Sequence, residues 1–120
     1  MINGAHIVLY SKDPEADRAF FRDVLQLPSV DAGHGWLIFA LPPAEATFHD
    51  AKDNNKHELF FMCDDIAATL RVLTNRNVLV SEVSEQRWGS LASFTLPGGG
   101  KVAIYQPKHP RPTQPTQPEP

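Results

Sequence analysis

A chain of 120 residues, 42% hydrophobic and 21% charged, has the size and balance of one globular domain, or of two small modules sharing a core. Its net charge of −3 gives no basic footprint for nucleic acid, and no apolar run approaches the roughly 18 residues that a membrane span needs. The lone Cys63 excludes an internal disulfide and fits a reducing compartment, and the first residues lack a secretory leader, so a cytoplasmic location is expected.

Residues 6–12 read as an apolar strand that runs into Asp13. Asp13 is a natural helix N-cap, and Pro14 takes the first helical position, where its missing N–H costs nothing. Ala16, Ala19, Phe20 and Val24 follow as an apolar stripe at helical spacing. Strands are then expected near 29–31, over 35–42 and over 45–49. The same order returns in the second half. A strand over 58–63 leads to Asp64 or Asp65 as a cap, Ile66, Leu70 and Leu73 form the stripe, and Asn75 to Asn77 ends the helix. Strands near 79–83, over 89–97 and over 101–105 complete it. The two first strands and the two caps are each offset by 52 residues, and both third strands end in Phe-x-Leu-Pro. A repeat of this kind outranks any single motif in fixing the fold. The chain is therefore expected to be α+β, with two tandem βαβββ modules, about 4–51 and 56–107, in one domain over 1–107. Six of the 11 prolines lie from Pro107 to Pro120, so 108–120 reads as a Pro-rich disordered tail.

Strand parity assigns the faces, because successive side chains point to opposite sides of a sheet. Ile7, Leu9, Leu59, Phe61, Leu37, Phe39, Phe94, Leu96, Ala46, Phe48, Val102 and Ile104 are apolar and belong against the helices. The opposite face is mixed. It carries His6, Tyr10, Trp36, Ile38, Glu45, Thr47, His49, Glu58, Phe60, Met62, Ser93, Lys101, Ala103 and Tyr105, as expected of sheets curled around a ligand.

The His6 strand, the helix of residues 13–25, Cys63-Asp-Asp65 and the closing stretch 96–107 resemble the vicinal-oxygen-chelate superfamily of glyoxalases, bleomycin-resistance proteins and extradiol dioxygenases. The resemblance covers about 4–107. It implies curled sheets around a cup, a divalent metal held by first-strand and last-strand residues, and a cup commonly completed across a homodimer. Residue by residue, His6 matches the first-strand histidine, Glu58 stands where the second module has its own, and Ala103 replaces a ligating glutamate. Thr47 or His49 takes the remaining position.

Two readings stay open. In one, His6, His49 and Glu58 form a two-histidine, one-carboxylate site for Fe, Zn, Mn or Ni, with open positions for a chelating substrate. In the other, these residues line a polar pocket without metal. Glu58, among apolar neighbours, is also the candidate general base. Trp36, Ile38, Phe60, Ser93 and Tyr105 are the candidate substrate-binding residues. Cys63 faces the helices and reads as a small hydrophobe, and His34 as a loop residue. The function expected is either a lyase, isomerase or dioxygenase acting on a small oxygenated molecule, or a binding protein that sequesters one. The expected partners are that ligand and a second copy of the chain, with no nucleic acid and no membrane.

Overall fold

A computed structural model describes residues 6–48 and 50–112. Local capping sets both helices. Helix α1 (Pro14–Asp23) starts at Asp13, whose carboxylate accepts the Ala16 N–H at 3.2 Å. Glu15 and Asp17 place negative charge in its first turn, against the positive end of the helix dipole. Helix α2 (Ile66–Asn75) starts at Asp65, which accepts the Ala68 N–H at 3.1 Å. It closes at Asn77 in the left-handed region, where the Val78 N–H returns to the Leu73 carbonyl at 3.0 Å.

Strands β1 (Ser29–Asp31) and β2 (Leu37–Phe39) pair antiparallel in a small hairpin. The Asp31 carboxylate organises its turn by accepting the N–H groups of Gly33 and Gly35, both at positive φ. The second half forms a mixed sheet from β3 (Phe60–Met62), β4 (Ser84–Glu85), β5 (Gly89–Thr95) and β6 (Lys101–Pro107), in the order β3-β6-β5-β4. β3 runs parallel to β6, and the other pairs are antiparallel. With α2 between β3 and β4, this is a complete βαβββ unit.

The first half departs from the expected repeat. Residues 6–12 and 43–48 form no strand, although their sequence has strand character. A strand persists only where a neighbour takes up its N–H and C=O groups in a ladder, and neither stretch joins a ladder within the described chain. In consequence Ile7, Val8 and Leu9 are exposed, and Tyr10 and Phe48 stand 96% and 97% open. Ile7, Leu9, Ala46 and Phe48, expected against the helices, are therefore not buried. The strand expected near 79–83 is reduced to one bridge between Val80 and Phe94.

The core lies between the helices and the four-stranded sheet. Phe20 and Phe21 of α1 and Ile66, Leu70 and Leu73 of α2 meet Ala92, Phe94, Leu96, Val102 and Ile104. Phe94, 1% exposed, is the most buried of them. Its ring stacks with Phe20 at 5.9 Å and with Phe61 at 6.2 Å, and Phe21 meets Phe61 and the hairpin's Phe39. The first half's helix is thus bound to the second half's sheet. A polar tie reinforces it: the Asp17 carboxylate accepts the Gly98 N–H at 2.8 Å and the Ser11 hydroxyl. No helix among the described residues is long and apolar enough to cross a membrane.

Removing the Phe94 ring should leave a cavity that touches both helices. Phe94→Ala should cost about 3–5 kcal/mol of unfolding free energy in urea melts followed by circular dichroism. Because α1 and α2 share that ring, both should be lost in a single transition.

Candidate functional site

Alternation along β3 and β6 sends Phe61 and Ile104 to the core and Phe60, Met62, Ala103 and Tyr105 to the side away from the helices. Register completes two rows on that open face. Phe60, Ala103 and Ser93 lie side by side, and Met62, Tyr105 and Leu91 form the next row. Cross-strand neighbours of this kind stand within reach of each other's side chains.

The face is dominated by aromatic edges. Tyr105 meets Trp88 at 5.3 Å and Phe60 at 5.9 Å, both near perpendicular, and Phe60 meets Trp88 at 6.4 Å. Such edge-to-face contacts match the positive rim of one ring to the negative face of the next. Trp88 sits in the turn before β5, and the following Gly89 lets it close in. A Cβ on Gly89 would stand 2.6 Å from the Gln106 carbonyl oxygen and 3.1 Å from the Tyr105 ring. No larger residue fits there without moving the cluster.

Polar groups rim the rings. The Tyr105 hydroxyl lies 3.3 Å from His109 Nε2. Arg111 Nε stands 3.8 Å from Glu45 Oε1, and its guanidinium donates to the Met62 sulfur at 3.6 Å. Burial pushes the Tyr105 phenol above its ordinary value, and the nearby Glu45 charge pushes the same way while Arg111 opposes. The phenol is therefore held neutral, as a hydrogen-bonding group.

Of the expected substrate-binding residues, Phe60, Ser93 and Tyr105 come together on this face. Trp36 and Ile38 belong to the β1–β2 hairpin, with Trp36 65% exposed. Of the expected metal ligands, His6 is exposed in the unpaired stretch 6–12. The Glu58 side chain is 58% exposed and faces Lys56 at 3.6 Å rather than apolar walls. His49 lies outside the described residues. Among the described residues no three His, Cys, Asp or Glu side chains gather as a metal would require, and Ala103 offers no donor. The donor set described does not fit the metal centre that the resemblance implies. Cys63 is half-buried, its thiol 3.7 Å from the Tyr105 carbonyl oxygen, and burial raises its pKa, which suits packing rather than nucleophilic attack.

Trp88, His109 and Arg111 were not signalled by strand parity. Trp88 lies in a turn, and the other two lie in the Pro-rich stretch after the last strand. Pockets of about 150 and 340 Å³ open elsewhere, between the helices and the core face, and are lined largely by core residues such as Leu73, Phe94 and Leu96.

Neither a family model nor a curated protein matches the chain by sequence. Solved structures do. The antibiotic-binding protein TnmS3 from Streptomyces sp. CB03234 is 23% identical with a TM-score of 0.62, over 90% of this chain and 100% of its own. Lactoylglutathione lyase from Agrobacterium tumefaciens is 20% identical with a TM-score of 0.63, over 87% of this chain and 92% of its own. A glyoxalase/bleomycin resistance protein from Streptomyces sp. CB03234 is 24% identical with a TM-score of 0.56, over 80% and 93%. This chain has the vicinal-oxygen-chelate fold. In the vicinal-oxygen-chelate fold of this chain, the aromatic face lies on the complete βαβββ half, away from the helices.

The raised Tyr105 pKa has a sign for stability. A phenol whose folded pKa exceeds its unfolded value stabilises the fold fully below the unfolded value, near 10. That contribution is lost as pH rises through the folded pKa. Spectrophotometric titration should show an upward-displaced phenol transition that disappears in Tyr105→Phe.

Proposed function

We infer that the chain binds a small, flat, oxygenated molecule against the open face of β3, β6 and β5. The observation that carries this is the Phe60–Trp88–Tyr105 cluster, aromatic edges on the side of the sheet turned away from the core. A face serving only to pack would not also hold a phenol, a guanidinium and a carboxylate at its rim. Aromatic walls with a few polar groups are what recognise a planar ligand carrying oxygen substituents. The similarity to an antibiotic-binding protein supports sequestration, and the similarity to a lactoylglutathione lyase supports an enzyme. The exposed Glu58 carboxylate faces Lys56, which favours binding without chemistry. The metal-assisted reading would need His6, His49 and Glu58 to converge.

With Trp36→Phe leaving Trp88 as the single tryptophan, Trp88 emission should respond to small hydroxylated aromatic compounds. Trp88→Ala and Tyr105→Ala should each weaken binding roughly tenfold or more, the usual cost of truncating a central aromatic anchor. Compounds recovered chemically unchanged after incubation support sequestration, and any turnover supports the enzyme. Purified protein should carry Fe, Zn, Mn and Ni well below one ion per chain by elemental analysis. Stoichiometric metal lost in His6→Ala would favour the metal-assisted reading.

The exposed Ile7, Val8, Leu9, Tyr10 and Phe48 support a second proposal, that a further copy of the chain packs over them and completes the cup. A cytoplasmic setting is part of the same reading. Light scattering should give about twice the 13.3 kDa chain mass, and Leu9→Lys should return it to the monomer.

A further inference from the structure

We propose that residues 108–111 are a latch over half of the aromatic face, held shut by the Glu45–Arg111 pair, and that a ligand gains the whole face only when the latch lifts. This rests on reading that face as a ligand site.

Tyr105 points away from the helices, toward the side where a ligand would lie, yet it is only 9% exposed. Trp88 packs near-perpendicular to its ring at 5.3 Å, and the His109 ring lies against it with centroids 6.0 Å apart. The register neighbour Met62 lies under the Arg111 guanidinium. The next row is more open, with Phe60 36% exposed. The segment after β6 therefore covers the Met62–Tyr105 row and leaves Phe60 in the next row more open.

The two ends of the segment are held differently. At its start the Lys108 N–H donates to the Trp88 carbonyl at 2.9 Å, and the ammonium reaches Glu85 at 2.8 Å and the Gln86 carbonyl at 3.1 Å. That end is a fixed root. Pro110 and Pro112 restrict the backbone beyond it, so the segment moves as a stiff arm. At the far end an ion pair of 3.8 Å ties Arg111 to Glu45, which belongs to the other half of the chain. A long, half-exposed pair of this kind is weak, and salt or a competing ligand can break it. A strong root with a weak far contact is the arrangement of a latch.

The test uses the full chain with Glu45→Gln, Arg111→Gln, the double variant and the charge swap Glu45→Arg with Arg111→Glu. Trypsin cleavage after Lys108, located by mass spectrometry, reads the latch without any ligand, because the root at Lys108 frays only from a released far end. Cleavage after Arg71 in α2 reads global unfolding. Each single variant should speed cleavage after Lys108 by roughly two- to fivefold, the range open to a weak ion pair. The double variant should go no further, and the swap should return toward the parent rate, all with cleavage after Arg71 unchanged. The dye 8-anilinonaphthalene-1-sulfonate should bind tighter by a similar factor in both single variants. Unchanged cleavage after Lys108 in both overturns the latch, as does an equal rise after Arg71. Dye binding weakened by Arg111→Gln alone, with cleavage unchanged, makes Arg111 a ligand contact instead. If the dye binds no variant while cleavage behaves as expected, the latch stands and the ligand reading of the face falls.

Discussion

The packing of Phe94 between two helices and a sheet is the constraint on which the rest of the molecule depends. Its ring meets Phe20 from the first half of the chain and Phe61 from the second, so the halves are joined through aromatic contact rather than through strand pairing. Once Phe61, Phe94 and Ile104 are committed to that core, the pleat leaves no choice for their neighbours. Phe60, Ser93, Ala103 and Tyr105 must stand on the other side. The open face follows from the buried one.

That open face is specialised by what surrounds the sheet. Gly89 permits a close approach that brings Trp88 onto Tyr105, and the chain beyond β6 folds back to bring His109 to the same ring and Arg111 to the neighbouring Met62. Aromatic area, a neutral phenol and a charged pair therefore converge from a sheet, a turn and a terminal segment. The same scaffold serves a lyase and an antibiotic-binding protein among the structures it resembles, so fold alone does not choose between chemistry and capture. The choice rests with the side chains on the face. Here these are aromatic and neutral at the centre, and Ala103 beside them offers no donor atom.

The second half of the chain was legible because its elements satisfy one another. Asp65, the Ile66–Leu70–Leu73 stripe, the Phe-x-Leu-Pro ending and the glycine turn at 98–100 each state a local preference that the tertiary structure keeps. The first half states preferences as clear, and Asp13 and Pro14 cap a real helix. Its outer strands fail nonetheless, since a strand is a relation between two segments and 6–12 and 43–48 join no ladder in the described chain. In the site, Phe60, Ser93 and Tyr105 were readable from parity. Trp88 was not, because a turn has no parity, and Pro-rich composition concealed the contacts of His109 and Arg111.

By itself the sequence determined the two helices with their caps and which face of each paired strand is apolar, because these depend on capping, period and hydrophobicity within a few residues. Only the tertiary structure decided which strands exist, that α1 packs on the second half's sheet, and that Trp88, Tyr105, His109, Arg111 and Glu45 share one surface. Those outcomes depend on contacts between residues tens of positions apart, where backbone pairing and close approach are settled by the whole chain at once.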